Sequence, residues 1–329
     1  MTISPRDPPG GGSTPFAAIR PMLAVARRGP MPHDAIVEFK WDGVRALVET
    51  TPTSTVVRSR RGLELTTTFP ELDSIHHVTG PGVLLDGEIV ALTDQHVPSF
   101  GLLQRRLGLT SPVRVHQARA EVPASLIAFD VLAVDGVLVI DEQLASRRAR
   151  LEQLPLPDVV QVAPVGDDLD AVLAVAADRG LEGCVIKDAT STYEPGIRSN
   201  AWQKVRLVRR QEFVVGGWKP GAGAAAGRPG SLLLGVNDDD GLRYVGAVGS
   251  GFTDRAVDEW AQRVEATSSG QSPFVDEVPG DEVRWVQPVH VVDVQFREWT
   301  GDGRLRQPSY KGLRIDVDPA HVRREPDDH

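Results

Sequence analysis

The strongest constraint on this chain is a change of texture near Arg210. Before that point, apolar runs bounded by turn residues alternate with helical stretches. Ala35 to Phe39, Val44 to Val48, Thr55 to Ser59, Val83 to Leu92 and Ser125 to Val134 read as strands. Ser99 to Leu107 reads as a helix with a serine cap and Gly108 as its stop. Glu142 to Leu154 ends at Pro155, and Leu169 to Arg179 starts behind Asp168 and stops at Gly180. No regular βαβ rhythm links these elements, so the expected class is α+β rather than a doubly wound sheet. After Arg210 come short β segments at Glu212 to Val215, Ser231 to Val236, Leu242 to Val248, Val283 to Val286 and Val289 to Phe296. One amphipathic helix, Asp254 to Val264, sits among them, and this set fits a small barrel of the OB type. The expected division is a flexible tail over 1–19, a first domain over 20–210 and a barrel over 211–329.

The charge divides at the same place. The chain carries 36 basic and 45 acidic residues, net −9. Residues 1–210 are net −2 and residues 211–329 net −7. Such a balance argues against a protein that coats nucleic acid non-specifically, while leaving room for local basic patches. The single cysteine, Cys184, excludes an intrachain disulfide and a cysteine-rich metal site. No apolar run is long enough to span a membrane, and no signal-like segment opens the chain. A cytoplasmic monomer is therefore expected. The stretch Gly221 to Gly230 lacks the lysine and Ser/Thr of a P-loop and reads as a mobile barrel loop.

The cations are unevenly chosen: 31 are arginine and only five are lysine, at 40, 187, 204, 219 and 311. A lysine can lose its proton and attack an electrophile, whereas a guanidinium effectively cannot. Lys40 follows a strand in Glu38-Phe39-Lys40-Trp41-Asp42-Gly43-Val44-Arg45. Arg45 beside it would disfavour the ammonium form, which prepares an amine nucleophile. The plainer alternative is a hairpin with Asp42-Gly43 as its turn and a solvated Lys40. Other strands end in charges: Asp86-Gly87-Glu88, Phe129-Asp130, Glu182 to Lys187, and Trp202-Gln203-Lys204-Val205-Arg206. Lys204 and Arg206, two apart, share one face of a strand. Carboxylates and cations gathered from separate strands suit a polyphosphate with a hard metal.

In this order, the segments Lys-x-Asp-Gly-x-Arg, Glu-Gly-x-Val-x-Lys and Trp-x-Lys-x-Arg resemble the motifs of covalent nucleotidyltransferases. These are ATP-dependent DNA ligases, RNA ligases and mRNA capping enzymes. Ser59 to Gly62 with Phe69 to Leu72, Leu85 to Val90, and Arg304 to Arg314 resemble bacterial ATP-dependent DNA ligases, above all ligase C and the ligase domain of ligase D. The resemblance runs from about Arg20 to Asp316. It implies an adenylyltransferase domain over 20–210 with antiparallel sheets, followed by an OB fold over 211–329.

The resemblance also implies a chemistry. Lys40 would attack the α-phosphate of ATP, giving a lysyl-AMP and pyrophosphate. The AMP would pass to the 5′-phosphate of a nick, and the 3′-hydroxyl would then seal the strand. Glu38 would accept from the adenine amine, and Phe129 would stack on the base. Arg45 and Arg60 would contact ribose and the nick 5′-phosphate. Glu88 and Glu182 would contact ribose or hold Mg²⁺ (or Mn²⁺). Lys204 and Arg206 would hold the α-phosphate, with Lys187 as a supporting phosphate contact. Arg314 and Asp316, from the barrel, would meet the outer phosphates when the barrel closes. Three positions depart from the pattern: Val317 stands where a lysine is usual, Arg206 where lysine is common, and Gln307 where histidine is frequent. Lys311 is the candidate to replace the lysine missing at Val317.

The implied partner is nicked double-stranded DNA, gripped by Arg58, Arg60, Arg61, Arg105, Arg106, Arg209 and Arg210, with a repair polymerase or primase as a possible protein partner. The rivals are an RNA ligase of the same superfamily and an inert OB-containing module that binds DNA ends.

Overall fold

The computed structural model describes residues 15–27, 29–221 and 227–325. The expectation of a tail over 1–19 falls largely outside these residues, as does the middle of the stretch Gly221 to Gly230. Within the expected tail, Phe16 is buried against Met22, Phe129 and Trp202, so the packed chain begins earlier than its polar, proline-rich surroundings suggested.

The first half builds two antiparallel sheets that share the task of holding one cleft. One sheet orders strands Leu23–Ala26, Arg198–Arg206, Gly183–Asp188, Ala35–Phe39 and Val165–Gly166. Its edge strand Leu23–Ala26 runs parallel to its neighbour, while the inner pairs are antiparallel. The other sheet orders Thr55–Ser59, Val44–Thr50, Leu84–Ala91, Ala124–Val134 and Val137–Leu138, with Val160–Val162 added beside the fourth. Near-continuous burial of Leu84–Ala91 and Ala124–Val134 follows from sheet packing on both faces, which their unbroken apolar runs anticipate.

Helices close the outside. Leu144–Gln153 packs on the second sheet, and Leu169–Asp178, capped by the Asp168 side chain, packs on the first. The expected helix Ser99 to Leu107 is shorter, at Phe100–Leu103, with the Ser99 hydroxyl accepting from Leu102 as foreseen. A helix at Pro112–Glu121 was not anticipated, because Val115 is its only buried side chain and no apolar stripe marks it.

The second half is built on a six-stranded sheet, as expected for an OB-type barrel. Its order is Leu242–Val248, Pro229–Asn237, Arg210–Pro220, Arg284–Gln295 and Ser268–Ser269, with Ser309–Leu313 also paired to Arg284–Gln295. The two strands expected over 283–296 are one long strand: Pro288 sits in it where the partner register shifts, between Val215 and Gly217. Helix Asp254–Ala266 plugs the sheet with Trp260 and Val264. Among the described residues, no helix is long and apolar enough to cross a membrane.

Candidate active site

Lys40 does not sit on a hairpin turn. Ala35–Phe39 belongs to one sheet and Val44–Thr50 to the other, so residues 40–43 form the crossover between sheets. Two glycines make the crossover possible. A Cβ on Gly43 would lie 2.1 Å from the Ile89 carbonyl oxygen, and one on Gly183 would lie 2.0 Å from that of Val205. Gly183 also has a φ of +143°, and its carbonyl accepts from the Lys40 backbone N–H at 2.8 Å.

The crossover opens onto a cleft enclosing about 1100 Å³ including its open mouth. Of the residues expected to carry chemistry, Lys40, Arg45, Lys204, Arg206, Glu38, Arg60, Glu88, Phe129, Glu182, Lys187 and Arg314 line it. Asp316, fully buried, lies behind the wall and holds Arg314 bidentately at 2.9 and 2.7 Å. The Arg314 guanidinium also lies over the Phe100 ring, at 4.8 Å, so the barrel reaches the first domain at the cleft.

The pairings differ from those expected. Arg45 is not beside Lys40; it clamps Asp86 through Nε and an Nη at 2.6 and 2.7 Å, and Asp86 also accepts from the Tyr193 hydroxyl. Lys40 instead donates to Glu182. Burial alone would raise the Glu182 carboxyl, but Lys40, Arg210 and Arg206 hold it below the usual range. Glu88 is pushed up to about 8 by burial, against the pull of Arg45, Arg314 and Lys40.

At the inner end, Lys187 lies 2.7 Å from Glu38 Oε2, a charge pair whose approach angle falls outside hydrogen-bond geometry. Its ammonium also lies over the rings of Phe129 and Trp202, at 4.3 and 4.2 Å. Arg148 approaches the other Glu38 oxygen at 3.5 Å. Burial keeps the Glu38 carboxyl above its ordinary value although Lys187 and Arg148 pull it down. Lys187 is thus placed with Glu38, Phe129 and Trp202, not with the cation pair Lys204 and Arg206. The Arg45 guanidinium lies over the same Phe129 ring at 4.4 Å.

At the outer end, Lys204 and Arg206 share a face and both bind the carboxylate of Glu325. Arg60 approaches Glu212, and Arg210 bridges Asp42 and Asp293. The Arg206 Nε and Trp202 Nε1 groups are buried with no hydrogen-bond partner, leaving donors that an acceptor-rich ligand could meet.

Two expectations fail here. Val317 is buried in the barrel core, and its carbonyl accepts from Arg61 at 3.1 Å; Lys311 faces a separate groove between the domains, with Gln104 and Tyr310, not the cleft. Arg106 cannot grip DNA, because it is fully buried on Glu71, Thr68 and Val122. Glu325, Glu212 and Arg148 were not foreseen. They lie far along the chain from the groups they touch, and nothing in their sequence neighbourhoods signals the contact.

A lysine on a crossover between two antiparallel sheets, facing a cationic cleft that a β-barrel caps, defines the ligase-type nucleotidyltransferase class. A family model for the ATP dependent DNA ligase domain matches residues 21–206, and one for the ATP dependent DNA ligase C terminal region matches residues 225–317. The chain belongs to the ATP-dependent DNA ligase family. It is 37% identical over 300 residues to the multifunctional non-homologous end joining protein LigD of Mycolicibacterium smegmatis, covering 87% of this chain and 36% of that one. The chain thus spans about a third of that relative's length. A solved mycobacterial DNA ligase D complexed with ATP and MES is 32% identical, with a TM-score of 0.67 over 95% of this chain and all of the other. The ligase domain of Mycobacterium tuberculosis LigD is 31% identical, with a TM-score of 0.50 over 95% of this chain and all of that one.

Proposed function

We propose that this chain is an ATP-dependent DNA ligase that seals 5′-phosphate/3′-hydroxyl nicks through an adenylate carried on Lys40. The observation that supports it most is that Lys40 lines one cleft together with Glu38 and Phe129 on the one hand and the cations Lys204 and Arg206 on the other. Lys40 Nζ would attack the α-phosphorus; the P–N bond forms as the bond to pyrophosphate breaks, and a proton leaves the amine. Glu182, already bonded to Lys40, is placed to receive that proton. Lys204 and Arg206 would hold the α-phosphate oxygens as charge moves onto pyrophosphate. Glu38, fixed by Lys187 and Arg148, would accept from the adenine amine. Phe129 offers its ring to the base in competition with Arg45 and Lys187, which lie over it in this structure.

Arg45 and Arg60 would meet the ribose and the nick 5′-phosphate, and Arg314 the outer phosphates. A divalent cation, Mg²⁺ or Mn²⁺, would be held by Glu88 and Glu182 together with phosphate oxygens, since two carboxylates leave most of its shell empty, and its charge would favour the ionised form of Glu88, which burial pushes up to about 8. Its contribution would be to neutralise the triphosphate. The end-joining function in the names of the mycobacterial relatives supports a role in DNA break repair. The test is to offer labelled ATP and Mg²⁺, then nicked DNA or nicked RNA. Sealing of the DNA is expected. Joining of RNA alone would overturn the substrate, and absence of covalent label would overturn the whole reading.

A further inference from the structure

The segment from Pro319 to Glu325 is stitched to the barrel, yet its last described residue crosses to the nucleotide-binding domain. The Asn237 amide donates to the carbonyls of Pro319 and Val322 at 2.7 and 3.0 Å, and Val322 is buried in the barrel core. Gln211 then fixes the end: its Nε2 donates to Arg323 O at 3.1 Å, and its Oε1 accepts from Glu325 N at 3.0 Å. From that anchored backbone the Glu325 carboxylate reaches Lys204 Nζ at 2.6 Å with one oxygen and Arg206 with the other.

We propose that Glu325 is an internal stand-in for a nucleotide phosphate, occupying the anion site of Lys204 and Arg206 until ATP displaces it. This rests on the reading of those two cations as the α-phosphate groups. A carboxylate offers two oxygens to two donors as a phosphate offers two non-bridging oxygens. Both cations are largely buried, at 9% and 10% exposure, and with Glu325 removed the nearest ion-pair partner left to Arg206 is Glu182 at 4.0 Å, so their desolvation and mutual repulsion would be compensated only in part. The carboxylate satisfies the site incompletely, because Arg206 Nε still lacks a partner. A phosphate, with more oxygens and more charge, can satisfy it. The two anions cannot share the site: Glu182 and Glu212 already crowd it with negative charge. Bound ATP therefore requires the carboxylate to swing out. Because its anchor is the barrel, any movement that lifts the barrel from the cleft also withdraws it.

An internal competitor reduces apparent affinity by the fraction of molecules in which the site is free. Full-length protein carrying Glu325→Gln or Glu325→Ala is compared with the parent in single-turnover self-labelling with labelled ATP across a concentration series. The half-saturating ATP concentration is expected to fall about tenfold, with the maximal rate unchanged within about twofold. Glu277→Gln, exposed on the barrel and outside the cleft, controls for net charge and should shift nothing. Glu325→Gln keeps the backbone bond to Gln211, so its melting temperature reports whether the segment stays docked. An unchanged or higher half-saturating concentration, or a lower maximal rate, would overturn the proposal and make Glu325 a support for the cations. Calorimetric binding of AMP, whose single phosphate is the α-phosphate assigned to Lys204 and Arg206, is read in parallel and needs no catalysis. Tighter binding by Glu325→Gln supports the proposal even if the parent fails to label, an outcome that would sink only the ligase reading. Equal binding overturns it.

Discussion

Replacing Lys187 with methionine separates two roles for a buried lysine. The sequence motif suggests a phosphate contact, whereas the structure puts Lys187 against Glu38 at the base end of the cleft. At an effective dielectric near 20, unit charges 2.7 Å apart attract by about 6 kcal/mol. Part of this is returned when the lysine's own desolvation is relieved, and removing one partner of a buried pair typically costs about 3–5 kcal/mol. Arg148 remains 3.5 Å from Glu38, which favours the low end. A loss of about 3 kcal/mol corresponds to a melting temperature lower by about 6–12 °C for a domain of this size. Burial already raises the Glu38 carboxyl and Lys187 opposes that, so the substitution pushes it higher and toward the protonated form. Adenosine binding, measured by calorimetry, is then expected to weaken about tenfold or more, the worth of a hydrogen bond to a charged group. Pyrophosphate binding should hold steady. The reasoning is refuted if Lys187→Met melts with its parent and loses affinity for pyrophosphate but not for adenosine.

Further outcomes follow from the same geometry. Gly43→Ala drives a methyl into the Ile89 carbonyl, 2.1 Å from its ideal position; self-labelling on Lys40 should fall at least about a hundredfold as the crossover shifts, and labelling at the parental rate would contradict the close approach. Lys204 is pushed down to about 8 by burial, aided by Arg206 and opposed by Glu325. Above that pH the ATP-free site holds a neutral amine and must take up a proton to bind phosphate. Half-saturating ATP should therefore rise about tenfold per pH unit beyond about 8, and Lys204→Arg should flatten the rise. Arg106→Met should cost about 3–5 kcal/mol in unfolding experiments, because it strands Glu71, while leaving the salt dependence of nicked-DNA binding unchanged. A reduced slope would return Arg106 to the DNA-contacting set.

Much of the site is legible in the chain because its groups sit at strand ends with short, fixed spacings. Lys204 and Arg206 share a face as period-two geometry requires, and the strands at Ala35–Phe39, Thr55–Ser59 and Leu242–Val248 fall where their apolar runs place them. The pairings are a different matter. Arg45 is close to Lys40 along the chain, yet strand pairing sets it opposite Glu88, and its side chain goes to Asp86. Lys40 receives its partner from Glu182, just ahead of the neighbouring strand of the same sheet, a long-range pairing that no local pattern encodes. Helix Pro112–Glu121 was invisible because a mostly exposed helix needs no apolar face. Arg105 and Arg106 look alike in sequence, but one is half-buried and paired with Glu121 at the surface and the other is sealed under Phe69 and Glu71. Burial, not composition, decides between a DNA contact and a core ion pair.

The central claim is a covalent bond between one lysine and AMP. Protein incubated with ATP and Mg²⁺ is digested, and its peptides are mapped by mass spectrometry. The adenylyl group is expected on Lys40 and nowhere else, and Lys40→Arg should carry none. An adduct on Lys187 or Lys204, or none on the parent, would contradict the account.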